Sequence, residues 1–191
     1  MKLIVVFVSL AVACVLGAAP DPTKVCLPEV LEADVYSATT DDYGKLAIDF
    51  KKGLLAVVYL KAEIKVVINL TNFEGNSINI TDRSCKQILA GANIANVVTR
   101  CLPASAKLLT NGSSTIGVPP NSVSIEGWEI DIGIGVTRVA LTTGNNAIPI
   151  IREYRSGSTK DVAFYSNQRL SIADERIFDV PDDCEPLSVV G

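Results

Sequence analysis

The chain has 191 residues, 48% of them hydrophobic, with 17 Lys and Arg against 21 Asp and Glu and a formal net charge of −4. It contains no histidine, which removes Ser-His-Asp and Cys-His nucleophilic catalysis, HExxH metalloprotease sites and His-ligated metals together. The acidic balance argues against nucleic acid and anionic membrane surfaces as partners.

Residues 1–17, MKLIVVFVSLAVACVLG, have the composition of a secretory signal: Lys2, an apolar core over 3–16, and the small-residue cleavage site Val15-Leu16-Gly17. That core is shorter than the ~20 residues a membrane span needs. Later apolar runs are broken by charges, so no transmembrane segment is expected. Residues 18–191 then form a single domain, long enough for a sizeable core. Lys2 is the only charge removed, so 16 basic and 21 acidic residues remain and the net charge becomes −5. Cys14 leaves with the signal. Cys26, Cys85, Cys101 and Cys184 remain, an even number in an exported chain, and two disulfides are expected. The four contain no CxxC pair, which disfavours zinc, and three pairings are open.

Residues 21–28 form a proline-bearing lead-in carrying Cys26. Residues 30–37 and 46–50 read as short strands around a turn cluster at 39–44. The most regular stretch is 54–70, LLAVVYLKAEIKVVINL, in which every even-numbered residue is apolar and Lys61, Glu63, Lys65 and Asn69 are odd-numbered. Alternation predicts a strand with one buried and one half-solvated face. Its length predicts a bend, or two strands joined without an obvious turn residue. Residues 77–81 read as another short strand. At Ser84 the pattern changes. Cys85, Ile88, Leu89, Ala92, Ala95 and Val98 recur at helical spacing, with Thr81 or Ser84 as N-cap, and predict one short helix laid on the sheet.

Residues 111–121 are Gly/Ser/Pro-rich. Val123 and Ile125 occupy one register and Trp128, Ile130, Ile132, Ile134 and Val136 the other, which predicts a bulge at Gly127. Residues 139–143, 148–154 and 160–165 read as further strands. Many strands, frequent turns and one helix predict a mainly antiparallel β fold of one domain. No internal repeat stands out.

Three sequons, at Asn69, Asn79 and Asn111, are candidate glycosylation sites in an exported chain. The Gly112–Gly117 segment lacks both the GxSxG elbow and the P-loop ending and reads as a loop. Glu129 and Asp131 alternate on a strand face, where solvated charges are the ordinary expectation. Asp179, Asp182, Asp183 and Glu185 form an acidic cluster around Cys184, which is either a surface loop or, through its oxygens, a calcium site. What rises above background is apolar strand face. Two sheets facing each other would bury it as an ordinary core. If the sheets splay apart, Val58, Leu60, Ile64, Val66, Ile68, Trp128, Ile130 and Ile132 would line a pocket for an apolar ligand.

The order of short motifs carries a resemblance. Cys26-Leu27-Pro28 follows the signal, then a β-rich middle, Cys85, a helix-like segment and Leu102-Pro103. Ile116-Gly117, a lone strand Trp and Ile148-Pro149 come next, before the close Phe178-Asp179-Val180-Pro181-Asp182-Asp183-Cys184. This resembles the ependymin-related family of secreted glycoproteins, invertebrate type, across essentially the whole of 18–191. The resemblance implies two curved antiparallel sheets around a deep hydrophobic cavity, similar to bacterial lipoprotein-carrier folds, often as a homodimer. It implies a non-enzymatic extracellular role in binding a lipid-like ligand. The alternative it offers is a calcium-binding structural or adhesive component of an extracellular or shell-forming matrix. Many members of the family carry Cys before the Ile-Pro step, where this chain has Ala147. On that basis the resemblance favours the pairs Cys26–Cys85 and Cys101–Cys184.

Overall fold

The computed structural model describes residues 20–89, 98–109, 114–144 and 146–186. The signal-like segment, Asn111 and most of the expected helix lie outside them. The strands are β1 (Val30–Ser37), β2 (Asp42–Asp49), β3 (Leu54–Tyr59), β4 (Ile64–Asn69), β5 (Glu74–Asn79), β6 (Cys85–Leu89), β7 (Lys107–Leu108), β8 (Ser114–Ile116), β9 (Val123–Asp131), β10 (Val136–Thr142), β11 (Pro149–Ser156) and β12 (Thr159–Arg169). They make one antiparallel sheet in the order β6-β5-β4-β3-β2-β1-β12-β11-β10-β9-β7, with β8 also paired to β9. The expected mainly β, antiparallel class is therefore present. The expected two sheets are not: a single sheet runs from β6 to β7, its edges unpaired with each other, so it is not a closed barrel. Among the described residues the only helical pieces are 3-10 turns at Pro22–Lys24 and Glu175–Phe178.

The first six strands follow a rule that the sequence conceals. Each hairpin closes through a four-residue turn, at 38–41, 50–53, 60–63, 70–73 and 80–83, and the last residue of each turn has positive φ. Those residues are Asp41, Gly53, Glu63, Phe73 and Arg83. Strand-end side chains hold the turns by accepting backbone hydrogen bonds. Asp49 Oδ1 accepts from the N–H groups of Lys51 and Lys52 at 2.9 and 3.0 Å. Asn69 Oδ1 accepts from Thr71 N at 2.8 Å, and Asn79 Oδ1 from Thr81 N at 2.9 Å. Buried Asp42 reaches across to the 60–63 turn, accepting from Lys61 N at 2.8 Å and Ala62 N at 3.0 Å.

The turn at 60–63 decides which side chains face inward. Tyr59 pairs with Ile64, Val57 with Val66 and Leu55 with Ile68. Directly paired residues share a face of a sheet, so odd positions of β3 lie beside even positions of β4. Residues 54–70 are thus two strands with opposite phase, and the single-phase reading is corrected. Both faces here are apolar. On one, Ala47, Ala56, Val67, Ile78 and Cys85 pack with Phe178, Ile172, Ile177, Val180 and Cys184 from the C-terminal segment. On the other, Leu46, Ile48, Leu55 and Ile68 cluster with Val57, Val66, Val98 and Tyr165.

The C-terminal segment is tied to its face by polar links as well. Glu32 accepts from Ala173 N at 2.8 Å, Lys65 Nζ donates to the Asp179 carbonyl at 2.6 Å, and Lys52 pairs with Glu175 at 2.7 Å. At the β6 edge, Gln87 N donates to the Glu185 carbonyl and Glu185 N to the Cys85 carbonyl, both at 2.9 Å.

Three further expectations are corrected. Residues 85–89 form a strand and not the start of a helix, because Ile78↔Cys85 through Glu74↔Leu89 pair in register and the chain end covers the exposed edge. Residues 90–97 of the expected helix lie outside the described residues. No bulge interrupts β9 on β10: the ladder is continuous from Val136↔Asp131 to Thr142↔Ile125, and Gly127 stays opposite Ala140. Ile125 is instead buried on the face away from Trp128. Finally, two disulfides are present, but they join Cys26 to Cys101 and Cys85 to Cys184. Cys85 sits under the C-terminal segment, while Cys26 and Cys101 face each other where residues 25–27 and 100–102 run antiparallel.

Candidate functional site

A cavity of about 460 Å³ lies in the hollow of the sheet. Its wall draws on strands far apart in the sheet order: Leu46, Ile48, Leu55, Val57, Tyr59 and Ile68 from β2–β4, and Ile130, Val139, Leu141, Arg152, Tyr154 and Tyr165 from β9–β12, with Ile132 in the loop after β9. Strands so separated can border one space only if the sheet curls, as a twisted sheet of this width does. Val25, Leu27, Val98 and Leu102 also border the space, on the two segments that Cys26–Cys101 joins. Ala147, fully buried, donates its N–H to the Cys26 carbonyl at 3.0 Å and holds the same corner.

The sequence-predicted apolar residues divide into groups. Ile68, Ile130 and Ile132 border the cavity. Val66 packs in the cluster that forms this wall, beside Val57, without bordering the space, and Ile64, half-buried, shares the face of Tyr59, also without bordering it. Trp128 is 1% exposed and lies in the adjoining cluster with Ala106, Leu141 and Ala147, its indole N–H without a partner among the described residues. Val58 and Leu60 are corrections. Val58 pairs with Lys45 and Lys65 on the opposite face, and Leu60 stands in a turn with 60% of its surface exposed. The phase change at 60–63 moves both out of the wall and brings in Leu55, Val57 and Tyr59.

The other candidates occupy the periphery. Asn69 is exposed and Asn79 half-buried, both at turn entrances. Asp179, Asp182 and Asp183 border a surface recess with Asp82, Arg83 and Ser84. Among the described residues no group of three or more His, Cys, Asp or Glu side chains is gathered for a metal ion. Glu129 is held by Arg138 at 2.9 Å and Asp131 accepts from Gly133 N at 2.9 Å.

Sequence reasoning missed Arg152. It lies on β11 between Val139 and Ala163, in the cavity wall, and pairs with Asp161 on β12. Burial opposes its charge, but Tyr165, Asp161 and Tyr59 together more than offset that, and its pKa lies above the ordinary guanidinium value. Burial likewise pushes the phenols of Tyr59 and Tyr165 up. Part of the signal was there to read: Arg152 and Tyr154 alternate onto one face, while the register shift before Ile151 brings Pro149, not Ile150, to the same wall.

No protein-family model and no curated protein matches the chain. Among solved structures, an uncharacterized conserved protein from Thermus thermophilus is similar at a TM-score of 0.55 and 11% identity, covering 84% of this chain and 91% of that one. The likeness is one of fold. A structure of PNGF-II aligns at a TM-score of 0.43 and 7% identity over 82% of this chain but 30% of that one.

Proposed function

We propose that this is a secreted, non-enzymatic, ependymin-like protein that holds an apolar, lipid-like molecule in the hollow of its sheet. The observation that carries the reading is the cavity walled, among the described residues, by Leu46, Ile48, Leu55, Val57, Ile130 and Ile132. Its volume falls in the ~300–1,000 Å³ range of small-molecule sites, whereas well-packed interiors leave few voids larger than a water molecule. Export is supported by the signal-like residues 1–17 and by the two disulfides. Among the described residues no helix is long and apolar enough to cross a membrane.

The test is native mass spectrometry of the protein recovered from the medium of secreting eukaryotic cells. The reading expects an adduct of lipid mass that organic extraction removes. Bare protein, together with no uptake of the apolar probe N-phenyl-1-naphthylamine, would remove the proposal.

A further inference from the structure

The mostly aliphatic cavity wall also holds Thr99, Arg100 and Tyr154, and a polar group in which Arg152, Tyr59, Tyr165 and Thr137 come from four different strands. Among the described residues Arg152 uses one donor, on Asp161, and its Nε–H is buried without a partner. Thr137, on neighbouring β10, is 3% exposed and its hydroxyl is also unpartnered among the described residues. Neither phenol has a hydrogen bond among the described residues. An arginine offers five N–H donors, and buried donors left unmade are costly. The wall therefore carries a cluster of hydrogen-bonding groups that no described protein group satisfies.

The charge in this group is already balanced. Asp161 sits against the guanidinium and accepts from the Ser37 hydroxyl at 3.3 Å, so the pair is close to neutral. The remaining ionised group on the wall, Arg100, is engaged by Glu29 at 3.4 Å and by the Leu27 carbonyl at 3.3 Å. A free carboxylate or phosphate entering the hollow would leave a net buried charge beside Asp161, which is expensive in an apolar surround. An uncharged acceptor meets the unused donors without that penalty.

Building on the cavity reading above, we infer that the ligand is an uncharged amphiphile, its hydrocarbon along the aliphatic wall and one neutral acceptor, an ester carbonyl or a hydroxyl, on Arg152 and the tyrosines. Arg152 selects for polarity in the head group and Asp161 selects against its charge.

The test is displacement of N-phenyl-1-naphthylamine at pH 8 by methyl oleate and by oleate, below their aggregation concentrations. Wild-type protein is expected to prefer methyl oleate by about tenfold or more, the worth of one or two buried hydrogen bonds. Arg152→Met should bring methyl oleate down by a similar factor, and by more than it weakens the probe, which brings no carbonyl or hydroxyl acceptor to the guanidinium. Asp161→Asn should shift the preference toward oleate. Tyr165→Phe, which removes only a hydroxyl, reads the same contact if Arg152→Met does not fold, with a smaller loss for methyl oleate. Equal or tighter binding of oleate to wild type, or no loss for methyl oleate in both Arg152→Met and Tyr165→Phe, would overturn the inference while leaving the cavity reading intact. Failure of the probe itself to bind would overturn the cavity reading.

Discussion

Strands β2–β4 present two apolar faces whose residues alternate along the same backbone, and the two faces have different fates. Ala47, Ala56 and Val67 are closed over by the C-terminal segment, which Phe178 packs down and Cys85–Cys184 ties on. Ile48, Leu55 and Val57, one residue away in sequence, border an open hollow. The smaller side chains lie on the covered face, where a segment must approach closely. The larger ones lie where nothing from the described chain fills the space in front. A hydrophobic face therefore shows that something covers it, and the sizes of the side chains help to show whether that cover is the chain itself.

The largest expected effects fall on the covered face. Phe178→Ala should cost about 3–5 kcal/mol in urea unfolding, and the double change Cys85→Ser with Cys184→Ser about 2–5 kcal/mol. Neither should remove the hollow from protein that still folds. If Phe178→Ala proved neutral, the C-terminal segment would not be the cover described. A paired insertion sharpens the contrast between the faces. Ala56→Leu should destabilise by about 1–3 kcal/mol because no room exists under the C-terminal segment. Val57→Phe should change the unfolding midpoint little, since its ring can enter the cavity. Equal losses from the two insertions would mean that both faces are equally packed.

The alternation at the root of this comparison was legible in the sequence, and so were the strand-rich fold and the number of disulfides. Its phase was not. Four of the five left-handed turn residues are Asp41, Glu63, Phe73 and Arg83, and only Gly53 advertises the conformation. Non-glycine residues are disfavoured at positive φ, and here Asp42, Asn69 and Asn79 offset that by holding the turns. Such hydrogen bonds are visible only once the strands are paired. The same pairing decides the disulfides, because Cys85 meets whichever segment crosses the β6 edge. Helical spacing from Cys85 onward was a coincidence of apolar residues that tertiary pairing overrode over residues 85–89. In the candidate site, Ile68, Ile130 and Ile132 were legible from alternation alone. Val58 and Leu60 were misplaced by the hidden turn, and Arg152 was passed over because a single charge in a strand usually faces water.

Two smaller effects probe the devices that set the phase and seat the C-terminal segment. Asp42→Ala removes the acceptor of two backbone N–H groups and should cost about 1–3 kcal/mol. It should also raise amide exchange at Lys61 and Ala62, while unchanged exchange there would mean that the turn holds itself. Asp174, which caps the Glu175–Phe178 turn, is lowered from the ordinary 3.8 to about 2 by hydrogen bonds from the Arg176 side chain and backbone. A depressed carboxylate stabilises the fold above its unfolded pKa and loses that contribution as pH falls through the folded one. The contribution is therefore complete above about pH 4 and fades toward pH 2. Carboxyl carbon chemical shifts followed by NMR should place the Asp174 midpoint near 2 in the wild type and closer to 3.8 in Arg176→Ala.

Fluorescence titration of the wild-type protein and Val57→Phe with N-phenyl-1-naphthylamine tests most directly whether the hollow is a site. Saturable uptake of one probe per chain is predicted for the wild type, weakened about tenfold or more when the phenyl ring occupies the space, an effect of ~1.4 kcal/mol. No uptake by folded wild-type protein, or equal uptake by both, would contradict the account.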